Sequence, residues 1–284
     1  MFEKLQNSWS LVKASGEVLS KDKKLLLFPV FSGIASLLVS ISFCMPLFAS
    51  DGLRQTLLSA DQTSRMLTGL YAFSYYLALY FVTFYCNSAL TAAAMIRLRG
   101  GEPTVSDGLS AANKRAGTIF GYALIGATVG MVLRMISERF GFIGRLVVAF
   151  LGTAWNLATY LVVPVLVCED VSPVDAVKRS TELLKKTWGE SLLANAGMNI
   201  IFGWMTFGAM MVCVAGVIFA AANNVPMLMF LFIGLMITWL LALSVVGSAL
   251  RGVYAAALYR FATDGTVGAG FDENLIKQAF LPKA

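Results

Sequence analysis

Six long apolar runs leave this chain few ways to fold. They extend from Leu25 to Ala49, Leu67 to Ile96, Gly117 to Ile136, Ile143 to Cys168, Leu192 to Ala222 and Met227 to Arg251. About 20 helical residues, rising 1.5 Å each, cross the roughly 30 Å hydrocarbon core of a bilayer, and every run is that long. The runs are continuous, without the apolar/polar alternation of a barrel strand. Of the 284 residues, 58% are hydrophobic and 13% charged, against about 25% charged in a soluble domain. So apolar a chain cannot build an exterior that faces water, whereas lipid solvates one. The expected fold is all-α: a polytopic membrane helix bundle, one membrane domain over residues 1–284.

The last two runs meet at Asn223-Asn224-Val225-Pro226, a turn short enough to make them a helical hairpin, with Pro226 suited to a first helical turn. Extended to all six runs, this gives three hairpins. Lys and Arg stay cytoplasmic when loops are sorted across a membrane. One side carries Lys4, Lys13, Lys21, Lys23, Lys24, Arg97, Arg99, Lys114, Arg115, Lys178, Arg179, Lys185, Lys186, Arg251, Arg260, Lys277 and Lys283. The other carries Arg54, Arg65, Arg134, Arg139 and Arg145. The imbalance places both termini in the cytoplasm and the protein in the cytoplasmic (inner) membrane. Charged, amphipathic residues precede the first run, which therefore reads as a permanent span and not as a cleaved signal.

Amphipathic helices are expected on the cytoplasmic side before each odd-numbered span. In residues 2–20, Phe2, Leu5, Trp9, Val12 and Leu19 fall on one helical face. In 104–115, Thr104 to Asp107 open a short helix. In 172–188, Ser172 reads as an N-cap, Pro173 as the first helical residue and Asp175 as the acid that closes the cap. Val174, Val177, Leu184 and Trp188 then share an apolar face. Basic flanks and an apolar stripe suit a helix lying at a membrane interface. Lys4, Lys13, Lys178, Arg179, Lys185 and Lys186 are accordingly read as facing anionic lipid headgroups.

Polar residues inside spans are costly and become candidates for function. Asn195 and Asn199 lie one turn apart in the fifth run and Asn156 lies in the fourth, which suggests an intramembrane polar cluster. Arg134 and Glu138 have the i,i+4 spacing of an ion pair. Arg251 is expected to pair with Glu169 or Asp170. Gly117-x-x-x-Gly121 and Gly126-x-x-x-Gly130 permit close helix approach, within the chain or to a neighbouring protomer. Pro29, Pro46 and Pro164 lie within or near spans, where tertiary neighbours can satisfy the freed backbone.

Catalytic signals are missing. The sequence has no histidine, and its four cysteines are scattered through apolar runs. It contains no Walker loop, no nucleophile elbow and no dinucleotide fingerprint after a strand. The expectation is a non-enzymatic protein with no cofactor and no metal. The basic clusters lack the interleaved aromatics of a nucleic-acid surface, so no nucleic acid is expected as a partner.

Several stretches carry a resemblance: Ser8 to Ser15 running into Asp22 to Pro29, Val163 to Glu169, Ala176 to Ser180, and Ala256 to Gly265. Together they resemble an uncharacterised family of prokaryotic six-span membrane proteins. The chain is also distantly similar to the membrane domain attached to some glycerophosphodiester phosphodiesterases. That resemblance implies fold and location and brings no site residues. The expected role is a membrane scaffold or partner subunit, as a homo-oligomer or beside another membrane protein. The alternative is a small transporter or channel for a lipid or amphiphile.

Overall fold

The computed structural model describes residues 13, 15–59, 61–186, 191–223 and 225–266, with backbone alone at 53, 58, 186 and 191–202. All described secondary structure is helical. Residues 15–21 form α1, and a 3-10 turn, Lys23–Leu26, leads into α2 (Leu27–Ala49). There follow α3 (Asp51–Leu58), α4 (Gln62–Leu98), α5 (Val105–Lys114), α6 (Ala116–Arg139), α7 (Gly141–Ala158), α8 (Val162–Cys168), α9 (Pro173–Lys186), α10 (Ser191–Ala222) and α11 (Pro226–Asp264). Six stretches are long and apolar enough to cross a membrane: Lys23–Ala49, Gln62–Leu98, Ala116–Arg139, Gly141–Cys168, Gly203–Ala222 and Pro226–Asp264. They coincide with the six apolar runs, and the fold is that of a multi-pass membrane protein.

Local chemistry sets the helix ends. Asp61 accepts from the Ser64 N–H at 3.1 Å and starts α4. At its other end, the Gly101 N–H donates to the Ile96 carbonyl and the Gly100 N–H to the Arg97 carbonyl, each at 3.0 Å. This six-to-one and five-to-two pattern needs a left-handed residue, and Gly100 supplies it with φ +87°. Thr104 and Asp107 close a capping box on α5. The Ser172 hydroxyl accepts from the Asp175 N–H at 3.2 Å and donates to the Asp175 carboxylate at 2.7 Å, which opens α9. Gly265, with φ +66°, ends α11 and donates its N–H to Phe261.

Helix α4 is the hub: α2, α5, α6, α8 and α11 all pack on it. The buried core gathers where α4 and α11 end and α2 and α6 begin. There Leu25, Phe28, Leu90, Leu98, Ile119, Leu161, Leu166, Leu183, Tyr254 and Leu258 are fully buried. We refer to this end as the base. Elsewhere the helices are apolar and exposed, as at Phe48, Phe142, Phe150, Trp204 and Phe230. Between lipid-exposed helices apolar burial gives little drive, because lipid tails solvate leucine as well as another helix does. A base packed to globular density, at about 1.5–3 kcal/mol per large buried side chain wherever water is the alternative, then holds the splayed helices together.

Two sequence expectations change here. In α9 the buried face is Ala176, Ser180, Leu183 and Leu184, while Val174 is 54% exposed. The helix packs on α6, α7, α8 and α11 and is thus a wall of the core; of the expected face it buries Leu184 and half-buries Val177, and leaves Val174 out. In α1, Ser15, Val18 and Leu19 are likewise buried in the core. Residues 2–12 and Trp188 lie outside the described residues. Three of the four glycines of α6 are used within the chain: a Cβ on Gly126 or Gly130 would meet Phe84 or Tyr80 of α4 at 3.3 and 3.2 Å, and one on Gly121 would meet Pro173 at 2.7 Å, whereas one on Gly117 would meet nothing within 4 Å.

Candidate functional site

The fourth apolar run is continuous in sequence but broken in structure at Thr159, Tyr160 and Leu161, between α7 and α8. Pro164 explains the break. In an unbroken helix its ring would press on the Tyr160 carbonyl and its nitrogen could not donate there, whereas in the first turn of α8 neither matters. The interruption tightens the chain locally, with the Tyr160 N–H donating to Leu157 and the Val162 N–H to Thr159, each at 3.1 Å. The Leu161 N–H is left without a helical acceptor. Ser180 of α9, itself fully buried, accepts it at 3.0 Å. Beside the break, the buried hydroxyls of Tyr160 and of Tyr254 on α11 have no hydrogen-bond partner among the described residues.

Just below the break, Glu169 ties three elements together. Its carboxylate accepts from Arg179 of α9 at 3.3 Å and from the Tyr259 hydroxyl of α11 at 2.9 Å. Arg179 also reaches Glu182 at 3.5 Å. The hydrogen bond to Glu169 raises the Arg179 pKa above its ordinary value. Next to Glu169, Asp170 pairs with Arg115 at the α5–α6 junction. Arg260 donates to the Leu98 carbonyl and so closes the end of α4 from α11. Stretches that carry the family resemblance thus converge here: Glu169, Arg179 with Ser180, and Tyr259 with Arg260.

The residues singled out from sequence fare differently. Arg134 donates to Glu138 at 2.7 Å and to the Tyr76 hydroxyl at 2.8 Å. Arg251 and Glu169 are not brought together. Glu169 meets α11 at Tyr259, eight residues and about 12 Å of helix beyond Arg251. Asn156 is exposed on α7, and the side chains of Asn195 and Asn199 lie outside the described residues. Among the basic residues, Lys13, Lys178 and Lys185 are exposed, Lys178 bonding Asp175 at 3.1 Å, while Arg179 is engaged by Glu169 and Glu182. Lys4 and the Lys186 side chain lie outside the described residues. Sequence reasoning missed Ser180, Tyr160, Tyr254, Tyr259 and Arg260. The proline alone hinted at the break, and nothing local marked the rest.

A cavity of about 470 Å³ opens to the side between α10 and α11, lined by Met205, Gly208, Ala209, Val212, Cys213, Leu235 and Trp239. Its walls are almost wholly apolar. Among the described residues, α10 packs along α11 and has only slight contact with the other helices, so the described part of this pair stands apart from the bundle except where the last turns of α11 enter the base.

The arrangement can hold a membrane module rigid at one end and present apolar helix faces along the rest. No curated protein matches the chain. A family model does match it, over residues 66–271, which takes in five of the six apolar helices and the whole Glu169 network. The chain belongs to that family, a family of unknown function (DUF6159).

Proposed function

We propose that this protein is a non-enzymatic multi-pass component of the cytoplasmic membrane, acting as a scaffold or partner subunit of a larger assembly. Six spans cross as three hairpins, α2 with α4, α6 with α7–α8, and α10 with α11, and the base faces the cytoplasm with both termini. The observation that carries the reading is the isolation of the α10–α11 pair. Cys213 and Ala220 of α10 are buried, while Trp204, Met211, Phe230 and Leu241 are left exposed. A rigid base with an outlying helix pair suits docking of a second membrane helix, from another copy or another protein. Photo-crosslinking residues placed at Met211 and Phe230, with Phe48 of α2 as control, test it in native membranes. Protein adducts at the two hairpin positions and lipid adducts at Phe48 are expected. Lipid adducts alone at all three would sink the proposal.

A second reading, a carrier for a lipid or amphiphile, is favoured by two observations. The fourth span is discontinuous beside two unpartnered buried phenols, as transporter sites often are, and the α10–α11 cavity opens sideways. Purified protein in liposomes should then speed the transbilayer movement of a fluorescent phospholipid, and filling the cavity with Gly208→Trp should slow it. Rates equal to empty liposomes would remove this alternative.

A further inference from the structure

The base carries its cations in two different ways. Around α9 three are neutralised, Arg115 by Asp170, Arg179 by Glu169 and Glu182, and Lys178 by Asp175. Where α1 turns into α2 they are not. Lys21, Lys23, Lys24 and Arg97, with Ser20, Asp22 and Glu102, line a hollow of about 410 Å³. Among the described residues no carboxylate comes within ion-pairing distance of these four cations, and Arg97 reaches only the Gly101 carbonyl, at 3.3 Å. Asp22 is buried and Glu102 exposed, so four cations against two carboxylates leave the hollow with a double positive charge. The two sides of the hollow come from segments more than 70 residues apart.

A second observation gives the ligand its shape. Lys23 and Lys24 lie one turn before Leu27, and from Leu27 the residues Phe31, Ile34 and Leu38 follow at spacings of four, three and four. All four are exposed, by 40 to 60%. Residues so spaced lie along one helix face. An apolar stripe therefore runs from the rim of a basic hollow along the first span.

We propose that this hollow is a binding site for the phosphate of an anionic phospholipid, with an acyl chain lying along Leu27, Phe31, Ile34 and Leu38. Lys21, Lys23, Lys24 and Arg97 would donate to the phosphate oxygens, the arginine from the fixed end of α4 and the lysines as point charges. The Ser20 hydroxyl donates to the Glu17 carbonyl at 2.8 Å and leaves its oxygen to accept from a headgroup hydroxyl. The site rests on the reading that the base lies at a membrane surface, and is independent of whether the protein is a scaffold or a carrier. Sedimentation with membranes after alkaline carbonate washing tests that underlying reading separately.

Native mass spectrometry of the full chain in neutral detergent tests the site away from the general field of a charged leaflet. Phosphatidylglycerol, phosphatidylcholine and inorganic phosphate are the three probes. Phosphatidylglycerol should bind in preference to phosphatidylcholine. Lys23→Gln, Lys24→Gln and Arg97→Gln should each weaken it by about fivefold, the factor expected for one basic residue. Lys13→Gln and Lys185→Gln, outside the hollow, should leave it unchanged. The Lys23 and Lys24 side chains bond nothing among the described residues, so their variants remain informative if Arg97→Gln folds poorly. Equal binding of the two lipids, or equal losses in the control variants, would overturn the site. Displacement of the lipid by inorganic phosphate at comparable concentration would assign the hollow to a free anion and overturn the lipid.

Discussion

Replacing Ser180 with alanine tests how the break in the fourth span is sustained. The Leu161 N–H and the Ser180 hydroxyl are both buried, 3.0 Å apart. Without the hydroxyl, the amide is stranded in a site closed to water, at a cost of about 1–3 kcal/mol. Alanine returns up to about 0.5 kcal/mol through its better helix propensity in α9. The expected net loss is about 1–2 kcal/mol. Thr181 is the internal control: its hydroxyl bonds only the Val177 carbonyl of its own helix, at 2.9 Å, so Thr181→Ala should stay within about 0.5 kcal/mol of the parent. A double-mutant cycle supplies the causal link. Pro164→Ala removes the obstacle to a continuous helix and lets Leu161 donate to Leu157. In that background Ser180→Ala should cost less than about 0.5 kcal/mol, leaving a coupling of about 1 kcal/mol or more. The assay is reversible unfolding in mixed micelles, with hydrogen exchange at the Leu161 amide as a local readout. The reasoning fails if Ser180→Ala is neutral, if its cost is the same in both backgrounds, or if Leu161 protection does not change.

Glycine replacements should change sign with place. A Cβ on Gly108 would lie 2.6 Å from both the Ala89 carbonyl oxygen and Phe28. Gly108→Ala should therefore cost about 1–3 kcal/mol from overpacking. Gly234, in α11, has nothing within 4 Å of that position, and Gly234→Ala should gain about 0.5–1 kcal/mol. Thermal unfolding in one detergent compares the two. Hydrogen bonds from Thr104 lower the pKa of Asp107, and those from Ser172, followed by Lys178, lower that of Asp175. The stability these caps contribute is present above the ordinary carboxylate value of about 3.9 and disappears as pH falls through the lower folded value. Unfolding from pH 7 down to the acid limit should show this dependence, and Asp107→Asn with Asp175→Asn should flatten it. Arg179→Gln should cost only about 0.2–1 kcal/mol, because its pairs with Glu169 and Glu182 are partly exposed. A loss several times larger in the same titration would show that Glu169 cannot rely on Tyr259 alone.

Apolar length alone fixed the six spans, because about 20 residues without charge admit little else. Ser172 with Asp175 and Thr104 with Asp107 were legible for a similar reason: each acts within four residues of itself. The faces were not legible. Lipid and protein interior are equally apolar, so the spacing of Val174, Val177 and Leu184 could not reveal that α9 buries Ala176, Ser180 and Leu183 while leaving Val174 out. Nor could it show that Glu169 would meet Arg179 and Tyr259 in place of Arg251. Those choices depend on how far α8 advances along α11 before it ends. Pro164 read as a proline tolerated inside one continuous span; only packing decided that the helix would break there and that a serine from α9 would complete the interruption. The hollow between Lys24 and Arg97 likewise exists because α4 returns to the point from which α2 departs, a closure that no local pattern encodes.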